Sequence, residues 1–325
     1  MLGAWCGRYG GAEIIELREL PEPTPSRGQV VVQISASSLN YPDLLFLANA
    51  YQSSRTLPFI AGSEFAGTVM EVGADVTGWA VGDRVMGTAP EGGAWAQRIA
   101  IDAERLRSVP DALTMEEAAV FDVVYETAFH ALVTAGSLRA GENVIVLGGS
   151  GGVGLATVDV AQRLGATVTA VGSSRSGLAA TRALGATVLD ASPVDSFKDR
   201  LRALTGGGDL VVDPVGGALA EQALRALRPG GRFVVVGFAS GAIPRIPLNL
   251  VLLKDVSIHG IDLGRLQRER RDVIDEGRRV LARLVQQGLR PTVTRRVPLR
   301  DVASAVAAMA ERRAGGKTVI VMDGF

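Results

Sequence analysis

Residues 143–172 constrain the fold more than any other stretch of this chain. The apolar run NVIVL ends in GGSGGVG, an amphipathic segment follows, and a second apolar run, TVTAVG, comes behind it. A strand that turns into a helix through glycines and returns as another strand begins a parallel α/β sheet. Gly149, Gly151 and Gly154 fit G-x-G-x-x-G. The first glycine makes the tight turn, the second lets the backbone approach a pyrophosphate, and the third lets helix and strand pack closely. The helix then offers unpaired N–H groups to the anion. In a chain with 40 glycines the spacing alone says little; the strand–turn–helix setting gives it meaning. Gly149, Ser150, Gly151, Gly152, Val153 and Gly154 are therefore expected to hold a dinucleotide.

The end of the second strand discriminates between dinucleotides. Sites for NAD place a carboxylate there, for the ribose 2′-hydroxyl. This chain has Gly172, Ser173 and Ser174, with Arg175 next. A carboxylate would repel a 2′-phosphate, whereas two hydroxyls and a guanidinium would bind one. The expected cofactor is NADPH.

Around this unit the chain changes style twice. Up to about Pro110 it reads as short strands and glycine turns, such as GQVVVQISASSLN, GTVMEVGADV and GDRVMGTA. From Glu116 a helical segment, MEEAAVFDVVYETAFHALVTAG, leads into alternating strands and helices. After Gly260 come two charged helices, an extended PTVTRRVPL and a last strand, KTVIVMD, with no α/β unit completed. The expectation is a Rossmann domain, a doubly wound parallel sheet, over 116–255. It would be inserted in a discontinuous β-domain made of 1–115 and 256–325.

Composition narrows the class. Of 325 residues, 47% are hydrophobic and 21% charged, which suits a well-buried core. The 34 basic and 34 acidic residues cancel, giving no electrostatic reason to expect nucleic acid or an anionic membrane as partner. With one cysteine, Cys6, no intrachain disulfide forms. The start MLGAWCGRYG lacks a signal-peptide pattern, and no apolar run is long enough for a membrane span. A soluble cytoplasmic protein is expected, with Cys6 a buried structural residue.

Further motifs run along nearly the whole chain: SLNYPDLL, LPFIAGSEFAGTV, VGDRV, GGAWAQ, YETAFHAL, VVDPVGG, RPGGRFVVVGFASG, IPLNLVLLKDVSIHGID and GGKTVIV. In order and spacing they resemble the medium-chain dehydrogenase/reductases, in their zinc-free quinone oxidoreductase branch. The resemblance implies a GroES-like β-barrel domain around the Rossmann domain, and a homodimer or homotetramer. Zinc-dependent relatives carry a cysteine near Asn40 and a histidine where Ser63 stands. His130 and His259 lie elsewhere and are read as packed or hydrogen-bonded side chains, so no metal is expected. Ser63 reads as a small pocket-wall residue and Glu64 as a structural hydrogen-bond acceptor.

Without a metal, the implied reaction is hydride transfer from NADPH to an acceptor that is already activated, a quinone or an α,β-unsaturated carbonyl. The resemblance puts Tyr51 where enoyl thioester reductases carry a proposed proton donor; a pocket-lining contact is the other reading. It puts Asn40 beside the nicotinamide and within reach of the acceptor carbonyl. Thr127, Val215, Gly237, Phe238 and Ala239 are expected on the nicotinamide side. Gly177 and Asp190-Ala191 depart from the lysine and the asparagine–tyrosine pair that often hold the 2′-phosphate ribose, which leaves Arg175 and the serines to do so. Two other readings stay open: an enoyl-CoA reductase using the arginines of GRLQRERRDVIDEGRR, and a non-catalytic NADPH-binding protein.

Overall fold

The computed structural model describes residues 1–173, 177–192 and 196–322. The chain forms two compact units, one of Met1–Val123 with the chain from Arg290 on, the other of Val124–Leu289.

In the second unit six strands form one parallel sheet. Their order is Thr187–Asp190, Thr167–Gly172, Asn143–Leu147, Gly208–Asp213, Leu227–Val235 and Ser257–Gly260. Numbered along the chain this is 3-2-1-4-5-6, the Rossmann order. The central strands are buried on both faces, so Val144–Leu147 and Leu210–Val212 are continuous apolar runs without alternation. Ile145, Leu147, Val211, Phe233, Phe197 and Leu224 pack into one core.

The first unit is mainly antiparallel. The long strand Gln29–Leu39 pairs with Glu64–Val72, Arg98–Asp102 and the C-terminal strand Thr318–Val321. The register Thr318↔Leu39 and Val319↔Ser38 carries the tail back to the N-terminal part. Val297, Leu299, Val302 and Ile320 share a core with Ala4, Cys6, Leu39 and Trp95. The β-domain is thus discontinuous, a GroES-like fold with the Rossmann unit inserted.

Both boundaries lie later than expected, at 123/124 and 289/290 instead of 115/116 and 255/256. Ser257–Gly260 is the sixth strand of the Rossmann sheet, in register with Leu227–Val235. The helix Arg271–Gln286 is bound to that unit too. Its Arg278 Nε donates to the buried Glu126 at 2.7 Å, and Gly277 packs on the His130 ring. The expected single helix over 115–136 is broken into Met115–Ala118, Asp122–Phe129 and a π-helical His130–Ala135. No helix among the described residues is long and apolar enough to cross a membrane.

Candidate active site

The glycine turn has the geometry its sequence demands. Gly149 N donates to Val171 O at 2.8 Å and Gly151 N to Gly148 O at 2.9 Å. A Cβ on Gly154 would lie 2.1 Å from Gly148 O, so the helix start and the strand end touch through bare backbone. Gly151 caps the helix Gly152–Arg163 without a side-chain acceptor, and its first turn carries no acidic residue. The N–H groups of that turn are left for an anion. Gly151, Gly152 and Val153 are half-buried and Gly154 is buried. Thr181 Oγ1 donates to Gly149 O at 2.8 Å from the next helix. Sequence reading did not single out Thr181, because one threonine in an amphipathic helix carries no signal.

Two more loops meet the turn at the C-terminal edge of the parallel sheet, where such folds bind ligands. Asp213 ends its strand and accepts from Val215 N and Gly216 N, both at 2.8 Å. Burial pushes its carboxyl up against the pull of those two donors. Ala239 N and Ser240 N donate to Pro214 O and Val215 O, lacing residues 237–240 to the Asp213 loop. The Val215 side chain packs over Gly148. Phe238 is more than a third exposed and abuts Gly216. The edge therefore gathers Gly149, Ser150, Gly151, Gly152, Val153, Gly154, Val215, Gly237, Phe238 and Ala239. Ser173 is exposed just past the neighbouring strand. Ser174 and Arg175 lie outside the described residues. Thr127 is on another element, nearly buried in the helix Asp122–Phe129.

Asn40 and Tyr51 belong to the first unit. There the structure reveals a buried network with four formal charges. Asp43, Arg55, Glu64 and Lys317 are each 1–4% exposed. Ser63 Oγ donates to Asp43 Oδ1 and accepts from Arg55 Nη2 at 2.8 Å. Asp43 Oδ2 accepts from Asn40 N at 2.8 Å. Asn40 Nδ2 donates to Ser38 Oγ at 2.7 Å and to Glu64 Oε2 at 3.0 Å, while its Oδ1 accepts from Lys317 Nζ. Ser38 Oγ also donates to Glu64 Oε2, and Val123 N donates to Glu64 Oε1 at 2.8 Å. Lys317 Nζ is 3.6 Å from Glu64 Oε2. Burial drives the Asp43 carboxyl up and the Lys317 ammonium down, against the attraction of their partners. Asn40 spends both amide hydrogens inside this network, so a bond to an acceptor carbonyl requires giving one up. Tyr51 is half-buried, its ring 4.4 Å from that of Phe46.

Comparison with known proteins agrees with this architecture. Residues 26–111 match the alcohol dehydrogenase GroES-like domain family, and residues 152–279 the zinc-binding dehydrogenase family. Quinone oxidoreductase-like protein 2 of Bos taurus is 34% identical, the alignment covering 98% of this chain and 94% of the relative. The chain belongs to the medium-chain dehydrogenase/reductase superfamily, in its quinone oxidoreductase-like branch. As such it is an oxidoreductase. Among solved structures, the quinone oxidoreductase of Thermus thermophilus, determined also as its NADPH complex, superposes with a TM-score of 0.86. It shares 33% identity over 99% of this chain and 100% of its own. CurK enoyl reductase superposes at 0.85 with 26% identity, over 99% of each chain.

The superfamily raises the question of zinc, and the residues here do not fit it. Zinc takes thiolate, imidazole or carboxylate ligands around an open position. Asn40 and Ser63 offer an amide and a hydroxyl that are already engaged. The nearby carboxylates of Asp43 and Glu64 are bound to N–H and O–H donors, and two buried cations already balance them. Among the described residues no group of three or more His, Cys, Asp or Glu is placed to hold a metal. Glu64 accepts hydrogen bonds inside the β-domain, as its sequence context suggested. Cys6 is buried, and burial pushes its thiol up to about 11.

Proposed function

We propose that this chain is a zinc-independent, NADPH-dependent reductase of quinones or of activated, α,β-unsaturated carbonyl compounds. The observation that carries the reading is the charge-balanced network at Ser63. It leaves no Lewis acid to polarise an alcohol or a plain carbonyl, so the acceptor has to be electron-poor already. When bound, NADPH supplies the hydride, which adds to the acceptor's β-carbon or quinone ring. The chain's residues bind and orient. The turn Gly149–Gly154 and the first turn of the following helix take the pyrophosphate. Ser173, Ser174 and Arg175 take the 2′-phosphate. Asp190 stands opposite Gly172 in the next strand, but its carboxylate accepts from Ser192 N at 2.9 Å. Thr127, Val215, Gly237, Phe238 and Ala239 border the nicotinamide. Asn40 orders the acceptor side, and Tyr51 contacts the acceptor there or gives the proton that the α-carbon takes up. The likeness to a quinone oxidoreductase solved with NADPH supports the cofactor.

NADPH oxidation with a panel of quinones, enones and enoyl-CoA esters tests the reading. Turnover with the first two classes is expected; tight NADPH binding without turnover on any acceptor would support a non-catalytic binding protein instead. Arg175→Ala should loosen NADPH about tenfold, roughly 1.4 kcal/mol, and NADH hardly at all. A dissociation constant tighter for NADH would overturn the cofactor assignment. The likeness to CurK favours enoyl thioesters as a second acceptor class. In the arginine run, Arg265, Arg270, Arg278 and Arg279 are each paired with an acidic residue.

A homodimer is part of the proposal. Ser257–Gly260 is an edge strand with Ile258 exposed, and Leu248, Leu252 and Leu253 are 75–80% exposed on the helix before it. An open edge beside an apolar patch is a surface proteins cover. Sedimentation should give twice the chain mass, and Leu252→Arg with Leu253→Arg should halve it. A wild-type monomer at every concentration would exclude this.

A further inference from the structure

We propose that Arg55 is a positioning residue for the acceptor site, acting through Phe46 on Tyr51; this rests on the reading that Tyr51 lines that site. Between the helix Tyr41–Leu47 and the strand Phe59–Ile60 the chain has no helix or strand, and Tyr51 lies in this stretch. An irregular segment keeps one conformation only where side chains fix it. Arg55 fixes it from several sides. Its carbonyl accepts from Tyr9 Oη, and its Nε donates to Pro90 O at 3.0 Å. Its Nη2 donates to Ser63 Oγ, which is bound in turn to Asp43 on the helix. Its guanidinium carbon lies 4.0 Å from the centre of the Phe46 ring, and that ring packs against Tyr51.

A cation is a poor choice here if packing is the only aim. Burial draws Arg55 toward its neutral form despite Asp43, and its Nη1 is buried with no hydrogen-bond partner among the described residues. Apolar side chains of similar volume in place of the Arg55–Asp43 pair would avoid that desolvation. What they would lack is the planar fork, which fixes direction as well as distance. Arg55 thus sets the angle of Phe46 and, through it, the place of the Tyr51 ring. The same fork occupies Ser63, where zinc-dependent relatives have a metal ligand.

A double-mutant cycle on the full chain tests this, with Arg55→Met, Tyr51→Ala and the pair. Each single change is expected to lower kcat/KM for a quinone or enone about 100-fold, the scale of an ångström-sized misplacement. The NADPH dissociation constant should stay within about twofold of wild type, because the cofactor is assigned to the other unit. The pair should lose no more than either change alone, and Arg55→Lys should recover part of the loss by keeping the charge. Additive losses, or a full-rate Arg55→Met, would overturn the role of Arg55. Wild type without turnover, or a full-rate Tyr51→Ala, would instead remove the reading on which it rests, and the inference with it. If Arg55→Met does not fold, Asp43→Asn with Arg55→Met removes both charges together and carries the same cycle.

Discussion

Gly154→Ala is expected to weaken NADPH binding by about 100-fold, because the turn that holds the pyrophosphate must move by a good fraction of an ångström. The new Cβ would lie 2.1 Å from Gly148 O and 2.8 Å from both Gly148 C and Gly149 Cα. All three are backbone atoms, so no side chain can swing aside to relieve the clash. The strain should also cost the Rossmann unit about 1–3 kcal/mol, as overpacking of a tight core does. Gly151→Ala separates the two effects. Gly151 has φ −87°, which alanine adopts freely, and its nearest neighbour across the turn, Gly148 O, would be 3.4 Å from the new Cβ. Its methyl group is expected to hinder the pyrophosphate and leave stability unchanged. Calorimetric titration with NADPH and thermal unfolding of both variants check this. If Gly154→Ala binds NADPH like wild type, the glycine turn is not the dinucleotide site.

The contrast between those glycines shows what a sequence exposes. Gly149, Gly151 and Gly154 act over a few residues, through turn geometry and close approach, so spacing and context suffice to read them. The strands Asn143–Leu147, Thr167–Gly172 and Gly208–Asp213 were legible for a similar reason: strands buried on both faces are plain apolar runs. Ser257–Gly260 was harder to place. It is largely exposed at the sheet edge, and its partnership with Leu227–Val235 is a matter of pairing rather than of pattern. The whole segment 256–289 belongs to the Rossmann unit with it. The change from Asp122–Phe129 to the π-helical His130–Ala135 has no signal in the sequence, because helical periodicity does not distinguish an α-turn from a π-turn.

The buried charges of the first unit were less legible still. Arg55 is the one charged residue between Asp43 and Glu64, set among small, polar and apolar neighbours with no spacing that suggests a partner. Lys317 is separated from Asn40 by nearly the whole chain, and only the strand register Thr318↔Leu39 brings them together. Resemblance pointed at Asn40 and Ser63 as places where ligands had been replaced. The replacement itself, two cations and two carboxylates joined through Ser63, Asn40 and Ser38, is a tertiary fact.

That network supplies the second large effect. Lys317→Met is expected to destabilise the β-domain by about 3–5 kcal/mol, since it strands a buried carboxylate rather than merely deleting a contact. Glu64 is 1% exposed and would be left with no cation beside it, while Asn40 Oδ1 would lose the ammonium it accepts from. Glu64→Gln alone should cost a similar amount by stranding the ammonium. Combining the two removes both charges, so the double variant should be more stable than either single one, which requires a coupling larger than the cost of either change alone. The chain reports on this domain selectively, because Trp5, Trp79 and Trp95 all lie in the first unit. Trp95 is fully buried and its Nε1 donates to Ser38 O at 2.9 Å, directly beside the network. Urea unfolding followed by tryptophan fluorescence should therefore show the lower midpoint with little change of slope. An unchanged midpoint for Lys317→Met would mean that Glu64 finds water or another cation there, and that the buried ion pair does not hold the β-domain together.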